Sequence, residues 1–291
     1  MHFETAFPLS RLTTIGTGGP AAAFARPSTL AELEEAVGWA TERGMEVVTV
    51  GLGSNVLASD EGVDALVLRL GGELALVATY DDALEAGGGA TNAVCLHRAR
   101  AAGLGGLEFA CAIPGTAGGG VRMNAGAYGS DWAAILECAL VVSADGSGWL
   151  DTAELGLSYR HSSLGTGQVV ARVRYRLAPR PPAEIRAEVA ELVARRKATQ
   201  PTNKRTFGSV FKNPAGELGA GRMIELSGLK GHRIGGAVIS PRHANFIENA
   251  ERATSADCIA LMAEARRRVR EQFGVELERE VVLLGPDSAG V

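Results

Sequence analysis

Several things that would settle the class of this protein at once are missing from its sequence. No apolar run approaches the ~18 residues of a membrane-spanning helix, so no membrane partner is expected. Charge of one sign is not in excess: 29 Lys and Arg stand against 33 Asp and Glu, which leaves no basic face for nucleic acid. Cysteine is scarce and unpaired in pattern. Cys95, Cys111, Cys138 and Cys258 form no C-x-x-C and each sits in an apolar segment, as small buried thiols do in a reducing compartment. The first residues, MHFETAFPLS, carry neither the basic nor the apolar region of an export signal. These absences predict a cytoplasmic protein.

Familiar motifs are missing too. Without G-x-G-x-x-G a Rossmann cofactor site is not expected, and without G-x-x-x-x-G-K-[ST] a P-loop is excluded. The absence of G-x-S-x-G argues against a hydrolase of the nucleophile-elbow kind. No spacing of His, Cys and Glu suits a metal ion, so none is expected.

What the chain has in quantity is glycine, 38 residues in 291, and the glycines cluster. Two runs stand out: GLGSN at 51–55 and IPGTAGGG at 113–120. Glycine is entropically costly, and a run of it is kept where φ must be positive or where something must approach the main chain closely. Consecutive free N–H groups in such loops form nests for anions. Tight turns alone would also account for them. Two nests together suit one ligand with a diphosphate and a large apolar ring.

The coarse pattern is α+β. A helix is predicted over 28–45, with Thr29 as cap and Glu32 three residues on, and with Leu30, Leu33, Val37 and Ala40 as its stripe. Short β runs follow at EVVTVG and at 64–70. Further strands are expected at 74–80, 83–86, 137–143 and 168–177, with a helix from Asn92 to Ala102. APRPP at 178–182 reads as a linker. Beyond it come a helix over 182–199, with Ile185, Val189, Leu192 and Val193 inward, a capped helix over 254–273, and a last strand, VELEREVVLL. The expected parts are residues 1–70 and 71–180, together a two-part nucleotide-binding module, and 181–291, a further α+β domain whose last strand returns to the site.

GLGSNVLASD, preceded by a helix and a β run, resembles the flavin-binding module of vanillyl-alcohol-oxidase type. IPGTAGGGVRMNAGAYG at 113–129, LSYRHSS at 157–163, GSVFKNP at 208–214, AGRMIELSGLKGHRIGGAVISPRHANFIEN at 220–249 and LEREV at 277–281 together resemble the UDP-N-acetylenolpyruvoylglucosamine reductases. The resemblance runs from about residue 8 to about 285, in the compact form of the family that lacks a tyrosine-bearing insertion. It departs at Ile15, Gly16 and Thr17, just before GGPA.

The resemblance implies non-covalently bound FAD, NADPH as co-substrate, a ping-pong cycle, and reduction of UDP-N-acetylglucosamine enolpyruvate to UDP-N-acetylmuramate by a monomer. It implies cofactor contacts from Gly51, Gly53, Ser54, Asn55, Val56 and Leu57, and from Ile113, Pro114, Gly115, Thr116, Gly118, Gly119, Asn124, Gly126 and Ala127. It makes Arg160 and Glu280 stabilisers of the intermediate and Ser209 the proton donor, with Tyr159, Lys212 and Asn213 touching substrate. The residue types suit the chemistry. Hydride addition to a vinyl ether beside a carboxylate leaves an enediolate, which needs a fixed cation or donor and an acid. Arginine is always charged and forks onto carboxylates. A serine is a weak acid and serves only because the carbanion is a strong base. Glu280 beside a carboxylate has to be protonated or act through a neighbour. Each residue also has a plain alternative: Arg160 as a surface arginine, Ser209 as a turn serine, Glu280 as one of a solvated row with Glu276 and Glu278. Two other functions remain open at this point, a flavin oxidase of another small alcohol or acid and a non-catalytic flavin or UDP-sugar sensor.

Overall fold

A computed structural model describes residues 1–286. The chain divides into two compact units. The first is built from Met1–Glu4, Ala23–Leu52 and Ala65–Arg196; the second takes Thr5–Ala22, Gly53–Asp64 and the chain from Lys197 onward. Among the described residues no helix is long and apolar enough to cross a membrane.

The first unit is organised by a five-stranded antiparallel sheet in the order Gly146–Asp151, Leu136–Ser143, Val169–Arg176, Ala83–Gly87, Val77–Tyr80. Its central strand, VVARVRYR, is apolar enough to feed two cores. Val169 and Ala171 pack with Leu33, Ala36, Val37 and Ala40 of helix α1 (Leu30–Thr41). Val170, Val173 and Tyr175 pack with Cys95, Leu96 and Ala99 of α2 (Asn92–Ala101) and with Trp132. Fully buried Trp132 donates its indole N–H to the Tyr175 hydroxyl at 2.7 Å, so neither polar tip is left unpaired. The α1 cap is made as the sequence predicts, Thr29 accepting from the Glu32 N–H at 3.2 Å; Glu32 reaches past Thr29 to the Ser28 N–H.

One helix was not legible. Residues AGGGVR form α3 (Ala117–Arg122), a sequence of low helical propensity. Thr116 caps it, and Gly120 leaves room for Trp132: a Cβ there would lie 2.5 Å from the indole. The helix predicted over 182–199 is α4 (Pro182–Thr199), with only Ile185 of its stripe fully buried.

In the second unit a four-stranded sheet, in the order Thr206–Ser209, Phe246–Asn249, Ala237–Ile239, Arg233–Ile234, shares a core with α5 (Ala220–Leu226) and α6 (Ser255–Phe273). Phe207, Phe211, Ile224, Leu261, Met262 and Val269 are its buried members. The predicted last strand is shorter than its apolar pattern: only Val282–Leu284 is regular, parallel to Val56–Ala58 in the register Val282↔Val56. Residues 278–280 instead give their backbone groups to the segment 210–212.

α6 carries a full capping box. Thr254 accepts from the Asp257 N–H at 3.0 Å, and the Asp257 carboxylate accepts from the N–H groups of Thr254 at 3.0 Å and Gly236 at 3.1 Å. These backbone hydrogen bonds pull the Asp257 pKa below its ordinary 3.8. Its stabilisation is therefore complete above that value and fades as pH falls through the lower folded-state pKa. Asp257→Ala is expected to cost about 1 kcal/mol at pH 7 in urea unfolding, and less of the difference should survive in strong acid.

Candidate functional site

The first unit holds a cleft lined by Thr49, Val50, Gly51, Leu52, Arg69, Leu70, Gly88, Gly89, Thr91 and Thr116. It joins the start of the first glycine run to the middle of the second. The amides of Gly51, Leu52, Gly115 and Thr116 have no acceptor among the described residues. With Arg69 and the threonines Thr49, Thr91 and Thr116 beside them, these donors suit a diphosphate. Gly51 is confined: a Cβ would lie 2.6 Å from Thr116 Oγ1.

The glycines divide by job. Gly119 has open space, its nearest neighbour being Thr116 Oγ1 at 3.5 Å from a notional Cβ. Gly118 is glycine because the Gly88 carbonyl would lie 3.0 Å from a Cβ, and Gly126 because the Ser130 carbonyl would lie at 2.6 Å. For those two, chain packing alone explains the residue. Ile113 accepts from Asn92 Nδ2 through its carbonyl, and Ala127 pairs with Ser130.

Arg160 lies in the same unit. Its guanidinium donates to the Gly126 carbonyl at 2.7 Å and sits 4.9 Å above the Tyr159 ring, which is half exposed. Arg160 has φ +56°, and nearby Asn124 and Tyr128 have φ +36° and +55°. Left-handed conformations cost energy in residues other than glycine and gather where a side chain must be aimed. Asn124 holds this corner. Buried to 1% exposure, it donates to the Ser158 carbonyl at 2.8 Å and to Asp131 at 3.2 Å, and accepts from the Ala133 N–H at 2.9 Å. Its side chain ties the 124–133 loop to the turn that carries Arg160.

In the second unit, Ser209 ends the strand Thr206–Ser209, opposite Phe246. Gly208 before it has φ +80° and abuts the Ser54 carbonyl. Next, the Val210 carbonyl accepts from the Glu280 N–H at 2.8 Å, Phe211 bridges Arg279, and the Lys212 N–H donates to the Glu278 carbonyl at 2.8 Å. Ser209 and Glu280 are thus brought onto adjacent, hydrogen-bonded segments. Asn55 joins them, donating to the Glu280 carbonyl at 3.2 Å and accepting from the Val282 N–H at 3.0 Å. Gly53 is locked against Leu12, Val56 and Leu57 form strand, and Leu57 is buried in the core. The three glutamates of the predicted row differ. Glu276 pairs with Arg266 and exposed Glu278 with Lys212, while Glu280 is half-buried. The Lys212 ammonium is therefore already engaged. Asn213 accepts from the Ala220 N–H at 3.1 Å.

Sequence reasoning missed Asn245, whose buried amide grips the backbone beside Ser209, and Tyr128, whose ring lies 5.0 Å under the Arg195 guanidinium. A polar residue inside the apolar run HANFI was the available signal for the first. Burial pushes the Cys95 and Cys258 thiols up to about 12, and those of Cys111 and Cys138 upward as well, which disfavours the thiolate.

Comparison with known proteins agrees with this geometry. Residues 200–284 match the family described as UDP-N-acetylenolpyruvoylglucosamine reductase, C-terminal domain, and residues 21–149 match FAD binding domain. UDP-N-acetylenolpyruvoylglucosamine reductase 2 of Symbiobacterium thermophilum is 45% identical over 98% of this chain and 92% of its own length. The reductase of Anaeromyxobacter dehalogenans is 45% identical over 96% of this chain and 84% of its own. The crystal structure of UDP-N-acetylenolpyruvylglucosamine reductase from Thermus caldophilus is 38% identical, with a TM-score of 0.85 over 98% of this chain and 100% of that one.

Proposed function

Because the chain belongs to the UDP-N-acetylenolpyruvoylglucosamine reductase family, we propose a division of labour among its residues for that reaction. The protein is an oxidoreductase that reduces UDP-N-acetylglucosamine enolpyruvate to UDP-N-acetylmuramate, a step of peptidoglycan synthesis, with FAD as cofactor and NADPH as co-substrate. When bound, FAD would supply the hydride-transfer chemistry between nicotinamide and enolpyruvyl group. The amides of Gly51, Leu52, Gly115 and Thr116, with Arg69, hold its diphosphate.

The remaining chemistry falls to side chains. Arg160 forks onto the substrate carboxylate and draws off the charge that develops there as an enediolate. Its contact with the Gly126 carbonyl fixes one edge of the guanidinium. Glu280 acts on the same intermediate. The Ser209 hydroxyl delivers the proton that completes reduction. Tyr159, Lys212 and Asn213 contact the sugar nucleotide. Residues 1–70 and 71–180 serve the flavin and 181–291 the substrate. The enzyme works as a monomer in the cytoplasm, without membrane or nucleic acid partners; its balanced charge is in keeping with this.

The observation that carries the reading is the backbone ladder between Ser209's segment and Glu280. It gives a reason for two residues 71 positions apart to act on one substrate atom group. The test is an anaerobic visible spectrum. NADPH should bleach the flavin band and UDP-N-acetylglucosamine enolpyruvate should restore it. Recovery by oxygen alone would overturn the substrate assignment.

A further inference from the structure

The strand that ends at Ser209 loses its regular partner one residue too early. Its pairing with Phe246–Asn249 stops at Ser209↔Phe246; the chain bends at Val210 and goes on through Phe211 and Lys212 outside any regular strand. What takes over is a side chain. The Val210 N–H still donates to the Asn245 carbonyl at 2.9 Å. Phe211 then finds both of its partners on the Asn245 carboxamide: its N–H donates to Oδ1 at 3.0 Å and its carbonyl accepts from Nδ2 at 2.8 Å. The carboxamide has the donor and acceptor of a peptide group, so it stands in for one more residue of strand. Asn245 is only 4% exposed, so these bonds lie in low-dielectric surroundings that strengthen them. On its other side the same short segment holds Glu280 through the Val210 carbonyl and Glu278 through the Lys212 N–H. Asn245 therefore fixes the one piece of backbone to which both Ser209 and Glu280 are attached.

We propose that Asn245 is a positioning residue for the second half-reaction, in which substrate takes hydride and proton. It touches neither flavin nor substrate. Its carboxamide fixes the Phe211 backbone next to Val210, and so the spacing between the Ser209 hydroxyl and the Glu280 side chain. This rests on the functional reading above. A displacement of about an ångström at reacting groups is worth up to ~100-fold in rate. The nicotinamide half-reaction needs neither group and should be spared.

The test measures both half-reactions by anaerobic stopped flow on holoenzyme: bleaching by NADPH, and recovery with UDP-N-acetylglucosamine enolpyruvate. Asn245→Ala and the nearly isosteric Asn245→Asp should each slow recovery roughly 10- to 100-fold and leave bleaching within about twofold. Leu261→Ala, a cavity made in the same core from helix α6 and removing no hydrogen bond of this segment, should lower stability without splitting the two rates. Equal slowing of both steps in the Asn245 variants, or the same split in Leu261→Ala, overturns the inference alone. So does failure of both Asn245 variants to fold, which would make the amide a requirement of the fold itself. If wild-type flavin is not restored by the sugar nucleotide, the functional reading fails and the inference falls with it.

Discussion

Ser209→Ala should bind FAD, bleach with NADPH at the wild-type rate, and then recover its colour with the enolpyruvyl sugar nucleotide roughly 10²- to 10⁴-fold more slowly. The size follows from the job. A positioned acid is worth that range, and alanine has no proton to give. The selectivity follows from the surroundings. Ser209 Oγ has no hydrogen-bond partner among the described residues, and the residue's pairing to Phe246 runs through the main chain. Removing the hydroxyl therefore breaks no internal contact, and thermal stability should stay within about 0.5 kcal/mol of wild type. Equal losses in the two half-reactions would show that the serine is not the donor.

The second large effect is structural. Gly88 lines the cleft of the first unit, donates its N–H to the Ala171 carbonyl at 2.8 Å, and accepts the Gly118 N–H at 2.9 Å. A Cβ there would stand 1.9 Å from the Val170 carbonyl oxygen, backbone against which no rotamer can relieve it. Gly88→Ala must push the central strand away from α3, and the expected cost is about 3 kcal/mol or more. That corresponds to a fall in Tm of roughly 6–12 °C, with flavin lost on gel filtration. Gly38→Ala gives the opposite sign. Gly38 lies inside α1 with nothing within 4 Å of a Cβ, so alanine there should stabilise by about 0.5–1 kcal/mol. If both variants melted alike, close approach would not be what the Gly88 position demands.

These two glycines also show what could be read from the sequence and what could not. Local signals were legible. Thr29 and Thr254 announced their helices, Gly274 ended one in the left-handed conformation at φ +67°, and the stripe of α6 buries Met262 and Val269. Motif order gave the family, the reaction and the reacting side chains' candidates. What composition could not give was which glycine faces ligand and which faces chain. Gly118, Gly119 and Gly120 are adjacent in sequence, yet only Gly119 has space over it, because the Gly88 carbonyl and Trp132 arrive from distant segments. The helix through that run was hidden for the same reason: its stability comes from Trp132 and the sheet, and its own residues argue against it. The final strand was over-read because VELE alternates and VVLL is continuously apolar, so both ends read as strand. From 278 to 280 its hydrogen bonds go to an irregular segment instead of a regular neighbour. The interleaving of the two units was invisible, since nothing local marks Thr5–Ala22 or Gly53–Asp64 as belonging with the chain after Lys197. Asn245 drew no expectation and Asn124 was expected only as a cofactor contact; their burial and hydrogen bonds show that each holds a backbone in place.

The bond from Asn55 to the Glu280 carbonyl joins residues 225 positions apart, and the strand Val56–Ala58 has Val282–Leu284 as its partner. This sets an order of events on the ribosome. The GLGSN segment emerges early and stays without that partner while the whole of 65–196 is made. At the usual pace of translation the wait is on the order of 10–45 s. In that interval the first unit has all its own segments and can close, whereas the second has only fragments. A chain stopped short of Val282 would therefore leave one well-made half attached to an exposed strand edge, the kind of end that quality-control proteases and chaperones recognise. Pairing along this edge waits until Val282–Leu284 has been made.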